Sequence, residues 1–342
     1  MPREGQLLLV TLVTAVLFGG LWRQAGCQES PSELPEGPGL AARYPGDVGL
    51  ADDPAVVLVE DFEQASLEEM LARWESVQGT NALSTDHPPA SGGRQSVHMT
   101  HVGGEGTGCT LYKRLPEGYD QLFYRFYVKF DQNCFPIHHF FHVGGYNPPT
   151  PWPQGGAGER PRGDERITCG IEPFGESWTW NYYAYWMEMR GSPPRGQTWG
   201  NCFIAENQPP CPRGEWQCLE VMIKLNTPAT ERNGEIALWK DGKLVSHLGP
   251  GYPRGKWTFD RFLIGQGGEG IRWVDEKGDR ETFEVAEGGE PFEGFRWRST
   301  EDLKLNFLWV LFYITRAPEG HVSQVWFDDI VVAKEYIGPL GE

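Results

Sequence analysis

The residues able to do chemistry gather in a few stretches of this 342-residue chain, and the densest is Trp178-Thr-Trp-Asn-Tyr-Tyr-Ala-Tyr-Trp-Met-Glu-Met-Arg190. Read as a strand, it sorts by the two-residue period of extended chain. Trp180, Tyr182, Trp186, Glu188 and Arg190 share one face; Asn181, Tyr183, Tyr185, Met187 and Met189 share the other. The second face has the composition of a core, where Met fills gaps. The first sets flat aromatics beside an acid and a base. That is how a sugar groove is lined, with rings stacking and the charged pair taking hydroxyls or carboxylates. The competing reading has the aromatics bridge two sheets while Glu188 pairs with Arg190 or a neighbour.

A second cluster is His138-His139-Phe-Phe-His142. On a helix, H-x-x-x-H presents two imidazoles to one metal ion. Pro136 before it and Gly144-Gly145 after it argue for a strand instead. There His138 and His142 share a face about 13 Å apart, too far for one ion, and His139 points away. The run is therefore read as the source of a catalytic histidine, with a structural role as the alternative. Residues 147–166, with Pro148-Pro149-Thr-Pro151-Trp152-Pro153, form a loop of the length used for lids over binding grooves. Glu60 and Asp61 near the start and Asp328-Asp329 near the end can meet on neighbouring strands. Glu60, Asp61 and Asp329 would then hold a structural Ca²⁺, the alternative being solvated strand-end acids. No other cofactor is expected. Glycine-rich phosphate loops, G-x-S-x-G and H-E-x-x-H are missing, and so is the paired-acid pattern E-x-D-x-x-E of one sandwich family of glycoside hydrolases.

The elements that position these groups are nearly all strands. Across 122–130, Leu122, Tyr124, Phe126, Val128 and Phe130 alternate with Phe123, Arg125, Tyr127 and Lys129. Across 217–225, Leu219, Val221, Ile223 and Leu225 alternate with more polar neighbours, including Lys224. Residues 235–239 followed by Asp241-Gly242 read as a hairpin. Strands are also expected at 56–59, 303–315 and 325–333. One helix is expected at 66–74, with Ser66 as N-cap and Glu69 three residues on. The pattern predicts an all-β, antiparallel, two-sheet sandwich with one short helix, spanning 55–340 as one domain.

Before it, residues 27–54 are rich in Pro, Gly and acid and read as a tether. Arg3 and the apolar run 7–21 read as an export signal over 1–26, shorter than a membrane span. Gln24-Ala25-Gly26-Cys27 resembles a bacterial lipoprotein box, so Cys27 is either a lipid anchor or lies near an ordinary cleavage site. No other segment is long and apolar enough to span a bilayer as a helix. The expected location is secreted or cell-envelope, and Cys109, Cys134, Cys169, Cys202, Cys211 and Cys218 are expected to form disulfides. Fourteen Trp, 12 Tyr and 18 Phe beside 44 Gly suit short strands and sugar-stacking surfaces. The net charge of −17 repels nucleic acid and anionic membrane. It also disfavours a polyanionic glycan unless basic residues gather locally.

Three segments carry a family resemblance: Gly214-Glu-Trp216-Gln-Cys-Leu-Glu220-Val-Met-Ile-Lys224, then Asn233-Gly234-Glu-Ile-Ala-Leu-Trp239-Lys-Asp241-Gly242, and the ending Val325-Trp-Phe-Asp-Asp329-Ile-Val-Val-Ala-Lys-Glu-Tyr336. Together they resemble the concanavalin A-like jelly-roll proteins, among them bacterial, exported sandwich polysaccharide lyases and their lyase-like relatives. The resemblance implies a glycan crossing a concave sheet and cleaved by β-elimination. Tyr182, His139 and His142 are the implied proton-transfer groups, with Arg190, Arg125 and Lys224 neutralising a uronate carboxylate and Trp180, Trp186 and Glu188 binding the chain. A non-catalytic carbohydrate-binding protein and a structural envelope protein are the other two classes the sequence allows.

Overall fold

The computed structural model describes residues 34–341 except 191–197, 205–207, 259, 265–268, 275–279 and 285–288. The expected export signal, 1–26, and Cys27 lie outside the described residues. In chain order the strands are β1 (Val56–Glu60), β2 (Ser76–Gln78), β3 (Thr80–Ser84), β4 (Ser96–Val102), β5 (Gly108–Tyr119) and β6 (Gln121–Phe130). Then come β7 (His139–Tyr146), β8 (Arg166–Pro173), β9 (Trp180–Tyr185), β10 (Gln217–Lys224), β11 (Glu235–Lys240) and β12 (Lys243–Leu248). The rest are β13 (Arg254–Thr258), β14 (Arg261–Ile264), β15 (Glu269–Val274), β16 (Arg280–Glu284), β17 (Glu290–Pro291), β18 (Leu305–Tyr313) and β19 (Val322–Ala333).

They form an all-β, two-sheet antiparallel sandwich, as the alternation predicts. One sheet runs β12-β11-β10-β6-β19-β4-β3, with β1 also on β19; the other runs β2-β5-β18-β7-β8-β9. Small additional sheets pair β14-β13-β17 and β15-β16. The inward faces of β6 and β10 are the predicted ones: Leu122, Tyr124, Phe126, Val128 and Phe130, with Leu219, Val221 and Ile223, are buried in one core. Against them the second sheet sets Phe140, Phe141, Val143, Ile167, Cys169 and Ile171. Phe126 stacks on Phe141 at 3.8 Å and Phe140 on Phe327 at 5.0 Å between ring centres. The β11–β12 turn places Asp241 at φ 50° and Gly242 at φ 76°, the left-handed pair a two-residue hairpin requires. Among the described residues the single α-helix is α1 (Leu67–Leu71), where the Ser66 side chain accepts the Glu69 amide at 3.2 Å.

Two expectations are corrected here. Residues 34–54 are not a tether. Leu40, Ala41 and Leu50 are buried against Phe123, Met222, Ala237 and Trp239 on the outer face of the larger sheet. The Leu40 and Ala41 amides donate to the Tyr336 and Ile337 carbonyls, and Trp239 Nε1 donates to Pro35 O at 2.7 Å. A few well-placed apolar residues dock a segment that has no periodicity to reveal it. The domain therefore begins at least as early as Leu34. The second correction concerns sulfur. Among the described residues all six cysteines are free, buried thiols. Cys211 packs in the inter-sheet core while Cys218, on β10, faces the opposite way beside Tyr127, so the sheet itself stands between two neighbours in sequence. Burial pushes the Cys134 and Cys202 thiols up to about 12, which makes them poor nucleophiles.

Candidate functional site

Strand alternation fails at one place in β7, and that failure builds the site. Phe140 and Phe141 both turn into the core, where the β7–β18 pairing shifts between Trp309 and Phe312. An extra residue in a ladder re-aims the side chains beyond it. His139 and His142 consequently emerge on the same outer face of the six-stranded sheet, their ring centres 5.7 Å apart. Beside them β8 alternates strictly: Ile167, Cys169 and Ile171 point in, so Gly170 and Glu172 point out. Nδ1 of His139 and Nε2 of His142 each lie 3.0 Å from Oε1 of Glu172, which also accepts the Phe140 amide at 3.4 Å. Gly170 pairs with His142 in register. A Cβ there would fall 2.6 Å from His142 Nε2, so glycine lets the group lie flat on the sheet.

Burial alone would push the Glu172 carboxyl up, but the two imidazoles beside it prevail and hold it below its ordinary value. It is a carboxylate, so His139 donates Nδ1–H to it and keeps Nε2 as the basic nitrogen. Burial lowers His142, whose Nδ1 is enclosed without a partner. Around His139 stand three rings: Tyr183 at 4.8 Å, Tyr313 stacked at 5.7 Å and His138 at 4.4 Å. Trp309 meets His142 edge-on at 5.2 Å. His139, Glu172 and Tyr183 open into a cavity of about 460 Å³ that Arg261 and Arg316 also line. Glu176 and Asp260 line it too, so both signs of charge border the cavity. Burial raises the Tyr183 hydroxyl, which lies 3.4 Å from that of Tyr185.

The 147–166 loop, expected as a lid over the groove, lies across another part of this face. Tyr112 donates its hydroxyl to Thr150 O at 3.0 Å. Arg166 donates to the carbonyls of Gly155, Gly156 and Glu159, and Gly158 N donates to the Tyr185 hydroxyl at 3.3 Å. The loop covers the end of the sheet nearest Tyr112 and leaves the His139 end open.

Neither a family profile nor a curated protein sequence matches the chain. Solved structures do resemble it. Alginate lyase Aly36B superposes at a TM-score of 0.46 with 12% identity, covering 81% of this chain and 96% of that one. Alginate lyase vAL-1 from Chlorella virus gives 0.45 and 13% over 82% and 99%. Cip1, a cellulose-induced protein, gives 0.44 and 18% over 82% and 99%. These are likenesses of strand arrangement at scores below 0.5, and no residue role is carried over from them.

Of the candidates read from sequence, the structure brings His139 and His142 together and scatters the rest. Trp180, Tyr182 and Trp186 are buried in the core, and the Tyr182 hydroxyl is enclosed there. The β9 segment is thus turned over: Tyr183 lines the cavity, and Tyr185 on the same face lies beneath the 147–166 loop. Beyond it, Arg190 lies over Trp257 and binds Glu293 at 2.9 Å, and Glu188 binds Arg232 at 2.9 Å. Arg125 is fully buried on the outer face of the other sheet, paired with Asp47 and donating to Asp329 O. Lys224 is on that same outer face, 2.7 Å from Glu235. Neither reaches the His139 side of the sandwich.

The two strands that carry these acids do pair, but among the described residues Glu60, Asp61 and Asp329 do not gather into one set of donors. Glu60 pairs with Ile330 as β1 joins β19, and Asp329 sits at the handover with φ 45°. Glu60 is nonetheless committed to Arg73 at 2.8 Å and to the Phe62 amide. The free capacity belongs to Asp328 and Asp329, whose Oδ2 atoms are buried without hydrogen-bond partners.

Proposed function

We propose that the protein is a polysaccharide lyase that binds a uronate-containing chain along the outer face of the six-stranded sheet. The observation that carries this reading is the Glu172-oriented His139 against Tyr183, in a cavity whose lining includes Arg261 and Arg316. In the reaction His139 Nε2 takes the proton beside the uronate carboxylate. The electron pair left on carbon forms the new double bond as the bond to the glycosidic oxygen breaks, and Tyr183 O–H protonates the departing oxygen. Arg261 and Arg316 meet the carboxylate and stabilise the charge that spreads onto it. Trp309 and Tyr313 supply ring surface for neighbouring sugars. Incubation with a panel of uronate and neutral polysaccharides should raise ultraviolet absorbance of the conjugated product on at least one uronate polymer. The aromatic face alone supports the second reading, a non-catalytic glycan-binding protein. Retardation in affinity gels without any product would establish that reading and defeat the first.

We further propose that the calcium expected from sequence binds at Asp328 and Asp329, with Glu60 displaced from the ligand set by Arg73. Burial pushes the Asp329 carboxyl up to about 6 and that of Asp328 to about 10, each also raised by neighbouring acids. Raised carboxyls bind protons more tightly in the folded state. Their stabilising contribution is complete below the ordinary Asp range and is lost as pH climbs through these values. In chelator, the wild type should therefore lose stability relative to Asp329→Asn as pH rises through about 6. Millimolar Ca²⁺ at neutral pH should raise the melting temperature of the wild type more than that of the variant. Equal shifts in both would remove calcium from this position.

A further inference from the structure

The convergence of His139, His142 and Glu172 has a second chemical meaning. The three donor atoms, Nδ1, Nε2 and a carboxylate oxygen, all lie within 4.8 Å of one another, and among the described residues no other trio of histidine, cysteine or acid does so. Tetrahedral coordination with bonds of about 2.0–2.2 Å sets such donors about 3.3–3.5 Å apart. The observed 3.0 Å separations to Glu172 need open by only a few tenths of an ångström. Gly170 keeps the volume beside the donors free, since a Cβ there would sit 2.6 Å from His142 Nε2 and 2.7 Å from Glu172 Oε1. Two imidazoles and one carboxylate suit zinc and its late first-row neighbours rather than calcium or magnesium, which prefer all-oxygen sets.

We propose that His139, His142 and Glu172 bind a zinc-class divalent cation, leaving one coordination position open to the cavity that His139 and Glu172 line. The trio was hidden in the sequence because unbroken alternation would turn His139 away from His142. This inference goes beyond the elimination reading and sets a condition on it. A cation on Nδ1 of His139 moves the ring proton to Nε2, so the loaded site has no base there, and zinc should suppress elimination.

The test is titration of the full chain, stripped with chelator, with Co²⁺ as spectroscopic probe and Zn²⁺ as competitor. The expected result is one equivalent of Co²⁺ with the intense visible bands of a four- or five-coordinate ion, displaced by Zn²⁺. His142→Asn and Glu172→Gln should weaken binding by about 100-fold or more, the loss of a direct ligand exceeding the 10–100-fold typical of outer-sphere changes. Gly170→Ala should also block it, with all three donors intact, and serves if a ligand variant fails to fold. His321→Ala, at a histidine outside the trio that is bound to Asn133 O, should change nothing. A wild-type spectrum of weakly bound, six-coordinate Co²⁺ overturns the proposal, as does binding that survives both Glu172→Gln and Gly170→Ala. The readout involves no glycan. Failure of the elimination assay with the Co²⁺ spectrum present would leave the metal site standing, and the converse would leave the base.

Discussion

His139→Gln should lower the rate of uronate elimination by about 10²- to 10⁴-fold, the range expected for removing a positioned general base, with the melting temperature nearly unchanged. His139 is the one imidazole of its cluster that combines an oriented Nδ1–H, 3.0 Å from Glu172, with a ring facing the cavity. Glutamine keeps an amide near Glu172 but has no basic nitrogen. Tyr183→Phe should cost a comparable factor in kcat, because it removes the proton for the leaving oxygen while preserving the ring contact with His139. Tyr182→Phe, one residue away, should leave kcat within about threefold, since its hydroxyl is enclosed between the sheets and substitutions remote from the reacting atoms act through stability. A His139→Gln enzyme with wild-type kcat would remove this residue from the chemistry.

Trp180→Ala should destabilise the fold by about 3–5 kcal/mol, the cost of deleting a large buried aromatic. Trp180 is fully buried, packs beside Phe126 and Phe130, and donates Nε1 to Gln217 at 2.9 Å. The truncation therefore leaves both a void and an unpaired amide oxygen. Trp186→Ala should fall in the same range, since Trp186 is enclosed by Phe295 and Trp297 and donates to Asn201 at 3.0 Å. Arg190→Ala breaks a half-exposed pair with Glu293 and should cost no more than about 1 kcal/mol. Urea denaturation at a constant slope measures all three. If Trp180→Ala and Trp186→Ala keep full stability and lose only glycan retention, the inverted face assignment of this segment is wrong.

That inversion shows where the sequence is readable. On β6 and β10 one face is wholly apolar and the other carries Arg125, Lys129, Glu220 and Lys224, so only one orientation puts an unbroken apolar row between the sheets. On β9 both faces are aromatic, and hydrophobicity cannot choose between Tyr182 and Tyr183. On β7 the paired Phe140-Phe141 breaks the period, which moves His139 to the side of His142. The usable signal lay in the next strand: Ile167, Cys169 and Ile171 alternate without a fault and leave Gly170 and Glu172 on the open face. Arg261 and Arg316 reach the cavity from segments far apart in sequence, and no local pattern announces them. The docking of 34–54 rests on three buried apolar side chains, with Leu34 and Tyr44 half-buried beside them, in a Pro- and Gly-rich stretch too sparse to show a period.

The clasp made by that segment fixes how the domain meets its surroundings. Backbone hydrogen bonds tie Leu40 to Tyr336, Ala41 to Ile337 and Gly46 to Gly341, so the two ends of the described domain run side by side across the outer face of the larger sheet. Leu34 and Gly341, the ends of the described residues, therefore lie on the side of the sandwich opposite His139.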